Sequence, residues 1–112
     1  MIVVTTEDVA KYRITKTFGQ VYGVIVRSRG IGGNIMAGLR SIIGGEINEY
    51  TALVEDTRRQ AIDRMSSNAK LMGANAVVRM MFDSSQLGTS MNEVVAYGTA
   101  VTIEKIQEHA TP

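Results

Sequence analysis

The sequence predicts an α+β domain, a three-stranded sheet with a helix layer on one face, built to associate with copies of itself. Three observations predict it. A single long stretch has helical periodicity, three other stretches read as strands, and those strands are largely apolar on both sides.

Taken in order, residues 2–5 read as a short strand, and residues 12–18 alternate, with Tyr12, Ile14, Lys16 and Phe18 on one side. Residues 20–29, QVYGVIVRSR, are rich in β-branched side chains, which favours a strand buried on both faces. Residues 30–45 are glycine-rich. Within them Asn34 can cap a short helix, Ile35, Leu39 and Ile42 share one helical face, and Gly44-Gly45 ends it. Residues 46–72 carry the clearest pattern. Ile47, Tyr50, Val54, Thr57, Ala61, Met65, Asn68 and Met72 form a helical stripe with one polar break at Asn68. Gly73 then supplies the left-handed stop. Residues 74–83 read as a strand, 84–90 as a hairpin loop, 91–104 as a long strand, and 105–112 as a fraying tail.

In the strands Tyr22, Val24 and Val26 oppose Val21, Gly23 and Ile25. Ala76, Val78, Met80 and Phe82 oppose Val77, Arg79 and Met81; Val94, Ala96, Gly98 and Ala100 oppose Val95, Tyr97, Thr99, Val101 and Ile103. One helix covers one face of such a sheet, and the other needs a partner. Gly23, Gly98 and Ala100 would let another backbone approach. The expectation is a homo-oligomer, with the N-terminal strands (residues 1–18) adding to a neighbour's sheet. The alternative is that the short helix and the N-terminal segment cover that face within one subunit.

The chain's 112 residues fit one domain, residues 1–112. A net charge of +1 with interspersed signs argues against nucleic acid and against an anionic membrane surface. The N-terminus lacks the features of a secretory signal and no apolar run reaches a membrane span, so the expected location is cytoplasmic. With no cysteine, thiolate catalysis and thiolate metal ligation are excluded.

The motifs point the same way. Gly33 and Gly38 have the spacing of a phosphate loop, but Leu39 stands where lysine belongs and Arg40-Ser41 comes one place late. Gly30 and Gly32 begin a dinucleotide pattern that Ile35 ends. Gly44-Gly45 precede the long helix, whose free amides would suit an anion, but Glu46 and Glu49 already supply negative charge there. His109, the single histidine, falls in the tail, which leaves little for a soft metal or a Ser/His/Asp triad. A hard-metal site from Glu46 and Glu49, with Asp83, across a subunit interface is the alternative. Arg27 and Arg79 sit in apolar strands and need carboxylate partners if buried, with Glu46, Glu49 or Glu93 as candidates. The chain is therefore read as no enzyme and as needing no cofactor. Its candidate ligand site lies between subunits near Glu46 and Tyr50, with Arg40 beside it.

The segments SIIGGEINEYT, TRRQAIDRM, GANAVVRMMFD and AYGTAV resemble the YbjQ-like family of small bacterial and archaeal proteins, over roughly residues 18–104. The resemblance implies a two-layer β-α-β-β subunit of dodecin-like fold, with a mostly antiparallel sheet, in ring-shaped homopentamers. The family is labelled heavy-metal-binding, without an established biochemical function. It also implies Gly44, Gly45, Glu46, Tyr50, Gly73, Ala74, Asn75, Ala76, Gly98, Thr99 and Ala100 as pattern positions. Of these, Glu46, Tyr50, Asn75 and Thr99 carry functional groups.

Overall fold

A computed structural model describes residues 1–28, 48–88 and 91–107, with side chains from residue 51 onward in the helix. The predicted short helix at 34–43 and the glycine-rich connection lie outside the described residues, as does the end of the tail.

The fold is α+β. Strands β1 (Ile2–Val3), β2 (Tyr12–Ser28), β3 (Ala76–Leu87) and β4 (Met91–Lys105) form one sheet in the order β1-β3-β4-β2, and helix α1 (Asn48–Met72) packs on one face. The sheet is mixed and four-stranded, where a three-stranded one was expected. β2, β4 and β3 run antiparallel, but β1 pairs parallel with β3, Ile2 opposite Ala76 and Val3 opposite Val77. The N-terminal strand thus pairs within its own subunit's sheet, at its edge. Its pairing continues in backbone bonds of Val4 with Val77 and Met80, and of Arg79 with Thr6.

The stretches read as separate strands at 12–18 and from 20 onward form one 17-residue strand, Tyr12–Ser28. Two register shifts interrupt its pairing with β4, and Gly19, at φ +112°, supplies the second.

Ala61 and Met65 of the α1 stripe, with Ala69 beside it, are buried against Val21 and Ile25 of β2, Val77 of β3, and Ala96 and Ala100 of β4, while Val54 and Met72 of the stripe are exposed. Burial of this apolar stripe is what holds the helix to the sheet. Thr57, the stripe's other polar member, is buried because its hydroxyl donates to the Leu53 carbonyl one turn back (2.8 Å). The helix ends in a Schellman motif. Gly73, at φ +98°, donates to the Lys70 carbonyl, and Ala74 donates to that of Ala69.

Two small residues have a different use from the one expected of them. A Cβ on Gly23 would run into the Ala61 carbonyl and the Met65 amide of α1, and one on Gly98 would lie 2.7 Å from Val77 Cγ1 and 2.9 Å from the Val78 carbonyl. Ala100, too, is buried under the helix. The close approach that these residues allow is internal, to α1 and β3 of the same chain.

The faces of β4, and of β2 from Gln20 onward, alternate as the sequence implies. The two register shifts set Tyr12 against the second-face core and Phe18 against the helix-side core, so residues 12–18 do not share one side as expected. Nor does β3 alternate. Val78 pairs with Thr99 and Met81 with Tyr97, so Arg79 and Met80 together oppose Gly98 in a bulge. The extra residue reverses the side-chain parity. Val77 shares the helix face with Met80 and Phe82, while Ala76 and Val78 share the opposite face with Met81. On that opposite face a second core of Ala76, Val78, Val101 and Ile103 is roofed by Ile2, Val4, Val9 and Tyr12. The N-terminal segment therefore covers one end of the second face, one part of the single-subunit alternative.

Candidate functional site

Beyond that roof no described residue covers the second face. Its rungs follow from the register: Gln20 beside Thr99, then Tyr22–Tyr97–Met81, then Val24–Val95–Asp83, then Val26–Glu93–Ser85. Tyr22 is 48% exposed, Val26 49% and Met81 58%, high values for large side chains on a sheet face. With Arg79 and Thr5 at the N-terminal end, these rungs form a groove of about 940 Å³. Such a concave surface, mostly apolar with a few polar groups, is the common form of a small-ligand site.

The groove is electrically polarised. At one end the Arg79 guanidinium pairs with Glu7 at 2.8 Å. At the other, Asp83 and Glu93 form no ion pair among the described residues, and Glu93 accepts a hydrogen bond from the Ser85 hydroxyl at 2.9 Å. Between them the Tyr22 hydroxyl donates to Gln20 Oε1 at 2.5 Å, and the Tyr97 hydroxyl points to the Met81 sulfur at 3.9 Å. Arg79 holds a left-handed backbone, φ +53°, at the bulge. That geometry is uncommon for a non-glycine residue, and it is fixed by the backbone bond to Thr6.

The partners expected for the strand arginines are corrected here. Arg79 pairs with Glu7, and Arg27 with Asp56 of α1 at 3.8 Å. Neither ion pair uses Glu93, and the side chains of Glu46 and Glu49 lie outside those described. The reason for Arg27 lies in its facing: it continues the helix side of β2, where α1 supplies the acid.

Of the candidate site residues, Arg40, Gly44, Gly45 and Glu46 lie outside the described residues. Glu49 and Tyr50 fall in the first turn of α1, without described side chains. Asn75 and Thr99 are described but do not come together. Thr99 lines the groove. Asn75 sits ahead of β3, where its side-chain amide donates to the Ile103 carbonyl (3.0 Å) and accepts from the Ile103 amide (2.8 Å). Both ends of that amide are engaged in holding β4. Sequence reasoning passed over Tyr22, Tyr97, Asp83 and Glu93 as groove residues. The cross-strand register that joins them is not written in any one segment, and the bulge moves Asp83 out of the face that simple alternation assigns it.

A metal centre is not assembled from these parts. Among the described residues no three His, Cys, Asp or Glu side chains gather, and the chain has no cysteine. Among the described residues, no helix is long and apolar enough to cross a membrane.

Comparison with known proteins places this geometry in context. A family model described as "Putative heavy-metal-binding", that of the YbjQ-like proteins, matches residues 1–104. A UPF0145 protein of Bradyrhizobium sp. (strain ORS 278) is 62% identical over 104 residues, 93% of this chain and 94% of its own length. One from Methanocella arvoryzae is 56% identical over 112 residues, covering 100% of this chain and 93% of its own. One from Thermoplasma acidophilum is 51% identical over 109 residues, 97% of this chain and 92% of its own. Among solved structures, a protein of unknown function of the DUF74 family from Pediococcus pentosaceus shares the fold. Its TM-score is 0.60 at 15% identity, covering 93% of this chain and 98% of that one.

Proposed function

The chain belongs to the YbjQ-like, UPF0145 family, and from that premise we propose that it is the subunit of a cytoplasmic homo-oligomer that binds a small ligand and catalyses no reaction. The ring of five implied by the resemblance is the assembly proposed. Copies of the chain cover the open sheet face, and the groove becomes the wall of a chamber between them.

One observation carries this reading: a sheet face that, among the described residues, is left apolar and open over Tyr22, Val26 and Met81 while the same sheet's other face is packed. The dimensions support it. The Cα radius of gyration is 18.5 Å, against about 13 Å for a compact domain of this length. A domain of this size buries too little surface alone to leave one face unused.

Native mass spectrometry of untagged protein tests the reading. The expected spectrum shows a single multimer of five subunits at micromolar concentration, with any retained small molecule as added mass. A monomer under those conditions refutes it.

The family description favours a second reading, metal binding through carboxylates of Glu46 and Glu49 at a subunit interface. Elemental analysis of untagged protein decides it. Metal stoichiometric with subunits and lost in Glu46→Gln supports this reading, and a metal-free, intact assembly removes it.

A further inference from the structure

The groove's charges go beyond a generic ligand chamber and select the sign of its occupant. Among the described residues Arg79 is the only cation lining it, and Glu7 already holds that guanidinium at 2.8 Å. Asp83 and Glu93 have no basic partner among the described residues. Ser85 satisfies one oxygen of Glu93 without neutralising it. Counting Arg79, Glu7, Asp83 and Glu93 together, the groove and its rim carry a net negative charge.

Beside these carboxylates stand two aromatic rings on directly opposed positions of neighbouring strands, Tyr22 and Tyr97, with the polarizable Met81 completing the rung. Aromatic rings attract cations through their faces, and do so more strongly where water is excluded. A bare metal ion prefers several converging oxygens, nitrogens or thiolates. Here, among the described residues, only two carboxylates, on adjacent rungs, lie next to apolar and aromatic surface, which suits a cation that is itself partly apolar.

We propose that this groove binds a small organic cation of the quaternary-ammonium kind, its charge set between Asp83, Glu93 and the Tyr22–Tyr97 pair. The inference rests on the assembled protein of the preceding section and names the ligand class of that same chamber.

Choline and its uncharged isostere 3,3-dimethylbutan-1-ol are the probes, titrated into the assembled full-length protein by calorimetry, with Zn²⁺ alone as a third arm. Choline should bind at least tenfold more tightly than the alcohol. Asp83→Asn with Glu93→Gln should remove roughly tenfold of that affinity, since each carboxylate contributes as an exposed charge does. Tyr22→Leu with Tyr97→Leu should cut choline affinity more than alcohol affinity, because leucine keeps apolar surface but no ring. Glu7→Gln, outside the lining, should weaken choline about threefold by leaving the Arg79 charge unopposed. Native mass spectra of every variant show whether the assembly persists. An intact assembly that binds both probes equally, or whose choline affinity survives Asp83→Asn with Glu93→Gln, overturns the proposal and leaves the oligomer standing. Zn²⁺ binding more tightly than choline and lost in the same variant also overturns it, assigning the carboxylates to an inorganic ion. A wild-type monomer refutes the chamber itself.

Discussion

Gly23 and Arg79 show how single residues govern this subunit from opposite directions. Gly23 is fixed by space. A methyl group there collides with α1 backbone at Ala61 and Met65, and backbone cannot rotate away as a side chain can. Gly23→Ala should cost about 3 kcal/mol or more, at the upper end for overpacking, read as a lowered denaturant midpoint with an unchanged slope. Arg79 is held by conformation instead. Its φ of +53° costs a non-glycine residue about 1 kcal/mol, and its ion pair with Glu7 is exposed on both sides, so it contributes well under ~1 kcal/mol. Arg79→Gly should therefore change stability by less than about 0.5 kcal/mol, because relief of the backbone offsets the lost pair and added chain entropy. Arg79→Val, with a β-branched side chain in the left-handed region, should lose about 2 kcal/mol. Chemical denaturation of the two variants side by side checks that order.

At the scale of elements, the helix and the strand cores were legible in the sequence, and the phase of β3 was not. The stripe from Val54 to Met72 marked α1 because helical periodicity is local. Even its apparent flaw at Asn68 has a local use, since that side chain donates to the Tyr22 carbonyl of edge strand β2 at 2.7 Å. Arg64 does the same for Val24 at 2.7 Å. The parity of β3 depends on one inserted residue, and where both faces are apolar a shift of one leaves no hydrophobic signature. The groove was hidden for the same reason, because Asp83 joins Tyr22 and Tyr97 only after that shift. The parallel pairing of β1 was equally out of reach, being a contact between residues more than seventy positions apart. Asn75 marks the junction where these elements lock. It stands in for a strand residue, completing the ladder through its side chain to both backbone groups of Ile103. Asn75→Ala leaves those partly buried groups unpaired and should cost about 2 kcal/mol. Asn75→Asp, which keeps the acceptor and loses the donor, should fall between alanine and the native residue. Amide hydrogen exchange at Ile103 should accelerate in both.

The whole molecule is the scale at which an extended subunit with one open sheet face has to be reconciled with stability. Its helix-side core is rich in alanine, with Ala61, Ala69, Ala74, Ala96 and Ala100 around Met65, Ile25, Val21 and Val77. Alanine burial contributes far less than that of larger aliphatic side chains, while Tyr22, Val26 and Met81 leave apolar surface that no described residue covers. If association covers that surface, folding and assembly are one equilibrium, and the unfolding midpoint must rise with protein concentration. For the proposed pentamer each tenfold increase should add about 1 kcal/mol per subunit. Thermal unfolding across a hundredfold concentration range reads this directly, and a midpoint that does not move indicates a self-sufficient monomer. Charge placed on the open face should uncouple the two processes. Val26→Lys with Met81→Glu puts charges on exposed sites that cost a lone subunit little but must be desolvated in an assembly. Lys105→Glu, at the far end of β4 beside Arg13 and Glu104, provides the matched surface control. The face variant should sediment as a monomer with a low, concentration-independent midpoint, while the control keeps the native sedimentation and its concentration dependence. Loss of assembly in both would place the contact elsewhere, and loss in neither would show that the open face is free in the assembled protein.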